Sequence, residues 1–210
     1  MKKYLLRFTV LVLALFMSLT AVAAGGADSD PVAMLKRVAD AMLSSLQAHK
    51  ATLKKNPTVV YDMARQIIVP HADLSEMSKR VLPPQTWNNA TAAQKSAFQR
   101  EFTTTLIRTY ASALASYENQ TVEFFPVRGG YAGLSTVEVS SQINRPDGPP
   151  VAVSYSLLKV GSNWKLFDMT VEGVSMLESF RSQFADQLNR GDMASLLKVL
   201  QQHNADNSQE

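Results

Sequence analysis

WKLFDMTVEGVSMLESFRSQF, residues 164–184, holds a strand and a helix joined past one glycine. In the first half, plain alternation puts Trp164 and Leu166 on one face and Phe167, Met169 and Val171 on the other. After Gly173 the period changes, and Leu177, Phe180, Phe184 and Leu188 recur at helical spacing. The stretch is a broad apolar wall. Its one candidate catalytic group is Asp168, which alternation places mid-strand on the Trp164 face.

Outward from this stretch, strand-like runs at 121–126, 134–143 and 151–160 precede the run at 164–171. Arg128-Gly129-Gly130, Pro146-Asp147-Gly148-Pro149 and Gly161-Ser162-Asn163 supply turn chemistry between them. Such short links make neighbouring strands antiparallel. Val137, Val139 and Ile143 share one face, as do Val151, Val153, Tyr155 and Leu157. Four strands are therefore expected, in a twisted antiparallel sheet.

Before the sheet the pattern is helical. Asp30-Pro31 and Asn56-Pro57 each read as a cap followed by a first-turn proline. Asp73 with Glu76 opens a short helix that Pro83-Pro84 stops. Thr91 and Gln94 form a capping box ahead of the longest helix, expected over 92–117. Its apolar face is Phe98, Phe102, Leu106, Tyr110, Ala113, Leu114 and Tyr117, with small residues such as Thr103, Ala111 and Ser112 beside it. Ser175 and Glu178 suggest a second capping box, and Asp192 caps a last helix carrying Leu196, Leu197 and Leu200. No repeat or linker divides the chain.

The start has the form of a secretory signal peptide. Lys2, Lys3 and Arg7 precede an apolar run too short to span a bilayer, followed by the small residues Ala21-Val22-Ala23-Ala24. The expected organisation is a leader at 1–24, a single domain at 25–203 and a polar tail at 204–210. The full chain has 21 Lys and Arg against 18 Asp and Glu. Removal of the leader takes away three of the positives and leaves 18 of each sign, so no basic block argues for nucleic acid. There is no cysteine. This excludes disulfides, thiol catalysis and a lipid-anchored lipoprotein, whose acceptor is a cysteine.

Little in the sequence promises catalysis. His71 and Asp73 read as a helix-entry turn with Asp73 as cap, and the scattered His49 and His203 read as surface residues, so no metal or other cofactor is expected. Asp168 has two readings. A carboxylate on an apolar sheet can be a general base, or it can be a hydrogen-bonded structural group; no second acid, base or nucleophile accompanies it. The apolar stripes also have two readings, as ordinary core or as the lining of a cavity. A twisted sheet crossed by amphipathic helices, the longest edged with small residues, can close into a cone that is only partly filled.

Two long motifs resemble the MlaC family, also known as toluene-tolerance auxiliary proteins. NWKLFDMTVEGVSMLESFRSQF is similar to its C-terminal signature. HADLSEMSKRVLPPQTWNNATAAQKSAFQREFTTTLIRTYASAL is similar to its N-terminal one, with Pro83 a departure where glycine is expected in many relatives. The resemblance implies an α+β fold like the nuclear-transport-factor-2 cone, enclosing an apolar cavity. It implies a periplasmic phospholipid carrier, not an enzyme, that maintains outer-membrane lipid asymmetry. Implied partners are an outer-membrane lipoprotein–porin complex and an inner-membrane ABC transporter. The protein itself is expected to be a monomer that binds no nucleic acid.

On this reading the acyl chains would be lined by Phe102, Leu106 and Tyr110 of the long helix. Val137, Val139, Val153, Tyr155, Phe167 and Met169 would line them from the sheet, and Phe180 and Phe184 from the closing helix. Two rivals remain open at this point. One is a small-molecule enzyme in the same cone, with Asp168 as base and Tyr110 or Tyr155 as hydrogen-bond donor. The other is an interaction protein with a solid core.

Overall fold

A computed structural model describes residues 29–56 and 58–206. The leader, Pro57 and the last four residues lie outside the described residues. The first helix, α1 (Pro31–Ala48), starts where Asp30 Oδ1 accepts from the backbone N–H groups of Val32 and Ala33. A one-turn helix α2 (Lys50–Leu53) and α3 (Val59–Ile67) follow, then a 3₁₀ turn at Val69–His71. Asp73 caps α4 (Leu74–Val81) through the Glu76 N–H, as the sequence suggested. Pro83-Pro84 ends α4 but also starts another helix, α5 (Pro84–Asn89), because proline suits a first turn. The long helix α6 (Ala92–Ala115) carries the full Thr91–Gln94 capping box.

The fold is α+β, and its open sheet has five strands in the order β1 to β5, not four. These are β1 (Thr121–Phe124), β2 (Thr136–Arg145), β3 (Gly148–Val160), β4 (Asn163–Val171) and the two-residue β5 (Val174–Ser175), all antiparallel. The extra strand comes from the turn Glu172-Gly173. Both residues have positive φ, 49° and 82°, which is the hairpin geometry that lets two residues reverse a strand. Gly173 accepts that conformation freely. Glu172 does so while its own N–H donates to Ala152 O and its carboxylate accepts from Ala152 N.

Register settles which side chains share a face. Leu157 lies opposite Leu166 and Ser156 opposite Asp168, so Phe167 is an extra residue in β4. This bulge overturns the simple alternation. Trp164, Leu166, Met169 and Val171 all face inward, Phe167 turns out toward α4, and Asp168 lies on the face opposite Trp164. The Arg80 guanidinium sits 4.2 Å above the Phe167 ring. The outer face bears the exposed Thr136, Glu138 and Ser140.

After the sheet come α7 (Met176–Arg190) and α8 (Met193–Asp206). Asp192 accepts from the N–H and hydroxyl of Ser195, and these bonds hold its carboxyl below the usual carboxylate range. Its contribution to α8 is therefore present at neutral pH and is lost as pH falls through that lowered value. Helix α8 runs past the point where the polar tail was expected to begin. Asn204 is 6% exposed and ties α8 to α6: its amide nitrogen donates to Glu101 O, and its side-chain oxygen accepts from Thr105 Oγ1. Asn204→Ala strands these groups and is expected to lower the unfolding free energy by about 2 kcal/mol, read from urea denaturation.

Candidate functional site

Apolar side chains gather into three buried clusters. One joins Phe98, Phe102 and Leu106 of α6 to Leu177, Phe180 and Phe184 of α7, with Tyr110 and Phe167 at its margin. A second joins Met34 and Leu35 of α1 to Val137, Val139, Leu157 and Trp164, with Tyr155, Phe124 and Leu166 beside them. The third lies between α1, α3 and the C-terminal half of α6, around Met42, Leu46, Val60 and Ala111. The sheet packs closely on α1, α4 and α7, whereas α6 packs mainly on α3 and α8. The second cluster therefore covers only one end of the inner sheet face.

Beyond that end the inner face is partly open. Met169, Val171, Val151 and Ile143 are half-buried and belong to none of the three clusters. Val153, 3% exposed, lies between Ser141 and Val171 in the ladder. Tyr110 of α6 lies at the margin of the first cluster. Its phenol is raised above the ordinary tyrosine value by burial first, and then by the negative charge of Asp168. The phenol of Tyr155 is likewise raised by burial, with the Ser141 hydroxyl pulling the other way.

The eleven residues expected as lining fall into separate places. Phe102, Phe180 and Phe184 fill one another's space, with ring centroids 5.5 to 5.8 Å apart. Leu106 adjoins them. Val137 and Val139 are packed under α1. Val153, Tyr155 and Met169 share the open half of the inner face, whereas Tyr110 lies at the margin of the α6–α7 cluster. Phe167 faces away from it. The two most prominent hollows are elsewhere. One of about 480 Å³ sits where the β1–β2 connection meets β2, lined by Phe125, Arg128 and Leu134 among others. One of about 260 Å³ lies between α5 and the α7–α8 junction.

Both oxygens of Asp168 are engaged. Oδ2 accepts from Ser175 Oγ at 2.6 Å; Oδ1 accepts from Met169 N at 2.8 Å and Leu177 N at 3.1 Å. The carboxylate thus fastens the first turn of α7 to β4, where a negative charge also complements the helix dipole. Ser175 Oγ in turn accepts from Glu178 N, but the Glu178 side chain bonds Arg181, so half of the expected capping box forms. Among the described residues no group of His, Asp and Glu is gathered as a metal site would be. No described helix is long and apolar enough to cross a membrane.

Sequence reasoning missed Ser141, a buried hydroxyl on the inner face of β2. The signal was present: it interrupts the series Val137, Val139, Ile143 at the position where an apolar residue belongs.

Known proteins share both the sequence and this architecture. The toluene tolerance protein ttg2D of Pseudomonas putida is 30% identical over 149 residues, 71% of this chain and 68% of that protein. The intermembrane phospholipid transport system binding protein MlaC of Haemophilus influenzae is 24% identical over 205 residues, covering 96% and 93% of the two chains. A phospholipid-binding protein from Ralstonia solanacearum, solved in complex with a phospholipid, superimposes with a TM-score of 0.77 at 34% identity, over 84% of this chain and 98% of that one. The family described as MlaC protein matches residues 36–202, from within α1 to within α8, and the chain belongs to that family.

Proposed function

We propose that this protein is a periplasmic phospholipid carrier, exported by its leader, that moves lipid between the outer and inner membranes and so maintains outer-membrane lipid asymmetry. The observation that carries this reading is the likeness to the Ralstonia protein, whose structure holds a phospholipid. In this role it would exchange lipid with an outer-membrane lipoprotein–porin complex and an inner-membrane ABC transporter, acting as a monomer and without a cofactor.

The acyl chains would lie against the open half of the inner sheet face, over Val153, Tyr155 and Met169, with Tyr110 opposite. Phe102, Leu106, Phe180 and Phe184 would form the wall behind. Val137, Val139 and Phe167, packed elsewhere, would act only through the shape of the sheet. Roughly thirty methylenes at ~0.8 kcal/mol each exceed ~20 kcal/mol of gross transfer from water, near the ceiling of non-covalent affinity. Against a bilayer the gain is small, because the bilayer is equally apolar. The carrier would hold lipid firmly in water and give it up where a partner opens the site or offers another apolar path.

The use of Asp168 favours the carrier reading over the enzyme one: its three hydrogen bonds all go to the β4–α7 junction, a structural task. Met169 supplies a test. It is half-buried, so Met169→Glu leaves the fold intact but puts a charge on the lipid path. Uptake of a fluorescent phospholipid from liposomes is expected to fall by about tenfold or more. Undiminished uptake would place the lipid elsewhere.

A further inference from the structure

Ser141 is 3% exposed, and its Oγ makes no hydrogen bond with any described residue. Phe124 and Val153 stand directly opposite it across the ladder. The Tyr155 phenol lies one register step along the sheet on the same face, and the Ser141 hydroxyl acts on it against the rise that burial causes, through a contact too loose to count as a hydrogen bond by its geometry. A buried hydroxyl has given up its water, so one left unpaired is short of a partner. Both cross-strand neighbours of Ser141, Phe124 and Val153, are apolar and uncharged. Along the sheet from Ser141 and Tyr155 lie Met169 and Val171, half-buried.

The geometry points to Ser141 and Tyr155 as the subsite for an acyl-ester carbonyl of the bound phospholipid, a reading that rests on the carrier function proposed above. A phosphate here would be buried without a counter-charge. A hydrocarbon chain would leave Ser141 as unpartnered as before. A neutral carbonyl accepts one hydrogen bond from the Ser141 hydroxyl and a second from the Tyr155 hydroxyl, using both lone pairs. The ester marks the junction between chains and head group, so holding it here fixes how deep the chains enter. Phe124 and Tyr155 have ring centroids 5.6 Å apart and share the Ser141 face; entry of the carbonyl requires that pair to shift.

The test compares two ligands on one protein. Exported, delipidated protein is titrated with dipalmitoyl-phosphatidylglycerol and with its dihexadecyl ether analogue, which keeps chains and head group but lacks the ester carbonyls. The wild type is expected to bind the ester about three- to tenfold more tightly, the range of one hydrogen bond. Ser141→Ala and Tyr155→Phe should each reduce that preference by weakening the ester alone, and the double variant should abolish it. The preference is a ratio within each protein, so a change in fold stability does not mimic it. Equal affinities in the wild type, or a preference undiminished in Ser141→Ala, would overturn the subsite. Failure of both lipids to bind would overturn the carrier reading with it.

Discussion

Replacement of Phe102 by alanine is expected to lower the unfolding free energy by about 4 kcal/mol. The ring is 1% exposed and touches three others, with centroids 5.5 Å from Phe98, 5.5 Å from Phe180 and 5.6 Å from Phe184. The contact with Phe98 is stacked and the other two are edge-to-face, arrangements that favour aromatic pairs beyond their buried area. Truncation leaves a void between two helices that are each held at the N-terminus, α6 by its capping box and α7 by Asp168, so collapse into it is limited. The urea midpoint should fall with the slope unchanged. Met169→Ala, on the half-buried inner face, should cost far less. Similar losses at the two positions would mean that the ring cluster is no tighter than the open part of the sheet.

Asp168→Ala is expected to cost about 3 kcal/mol. Its carboxylate is the acceptor for the Ser175 hydroxyl and for two backbone N–H groups, and all three are left without it. Asp168→Asn should cost about half as much, because the amide oxygen still accepts while the charge at the α7 terminus is lost. Both variants should load lipid once folded, since the carboxylate serves the β4–α7 junction. A variant that stays as stable as the wild type yet no longer loads lipid would return Asp168 to the functional site.

The strand–glycine–helix stretch at 164–184 announced most of this architecture, because period and turn chemistry are local properties. Alternation also put Val137, Val139 and Ile143 on one face of their strand and Val151, Tyr155 and Leu157 on one face of theirs, and the ladder sets the two groups opposite each other. It failed at Phe167, where one extra residue reverses the faces, because a bulge is set by what the strand must meet on either side. Here Leu166 O accepts from Asp73 N at the edge while Asp168 reaches back to α7. Asn204 was misread for a related reason: a polar residue near a terminus resembles a tail until Glu101 and Thr105 are brought to it from α6. The candidate lining was legible as apolar but not as position, since helical spacing does not reveal whether Phe102 meets a ligand or another ring.

The central claim is tested most directly by releasing what the exported protein carries. Organic extraction of chain purified from the periplasm without added lipid, with native mass spectrometry of the same sample, should show a phospholipid in fixed ratio to protein. Exposure of the delipidated protein to phospholipid liposomes should restore it. Protein that emerges without phospholipid and takes up none from liposomes would contradict the account.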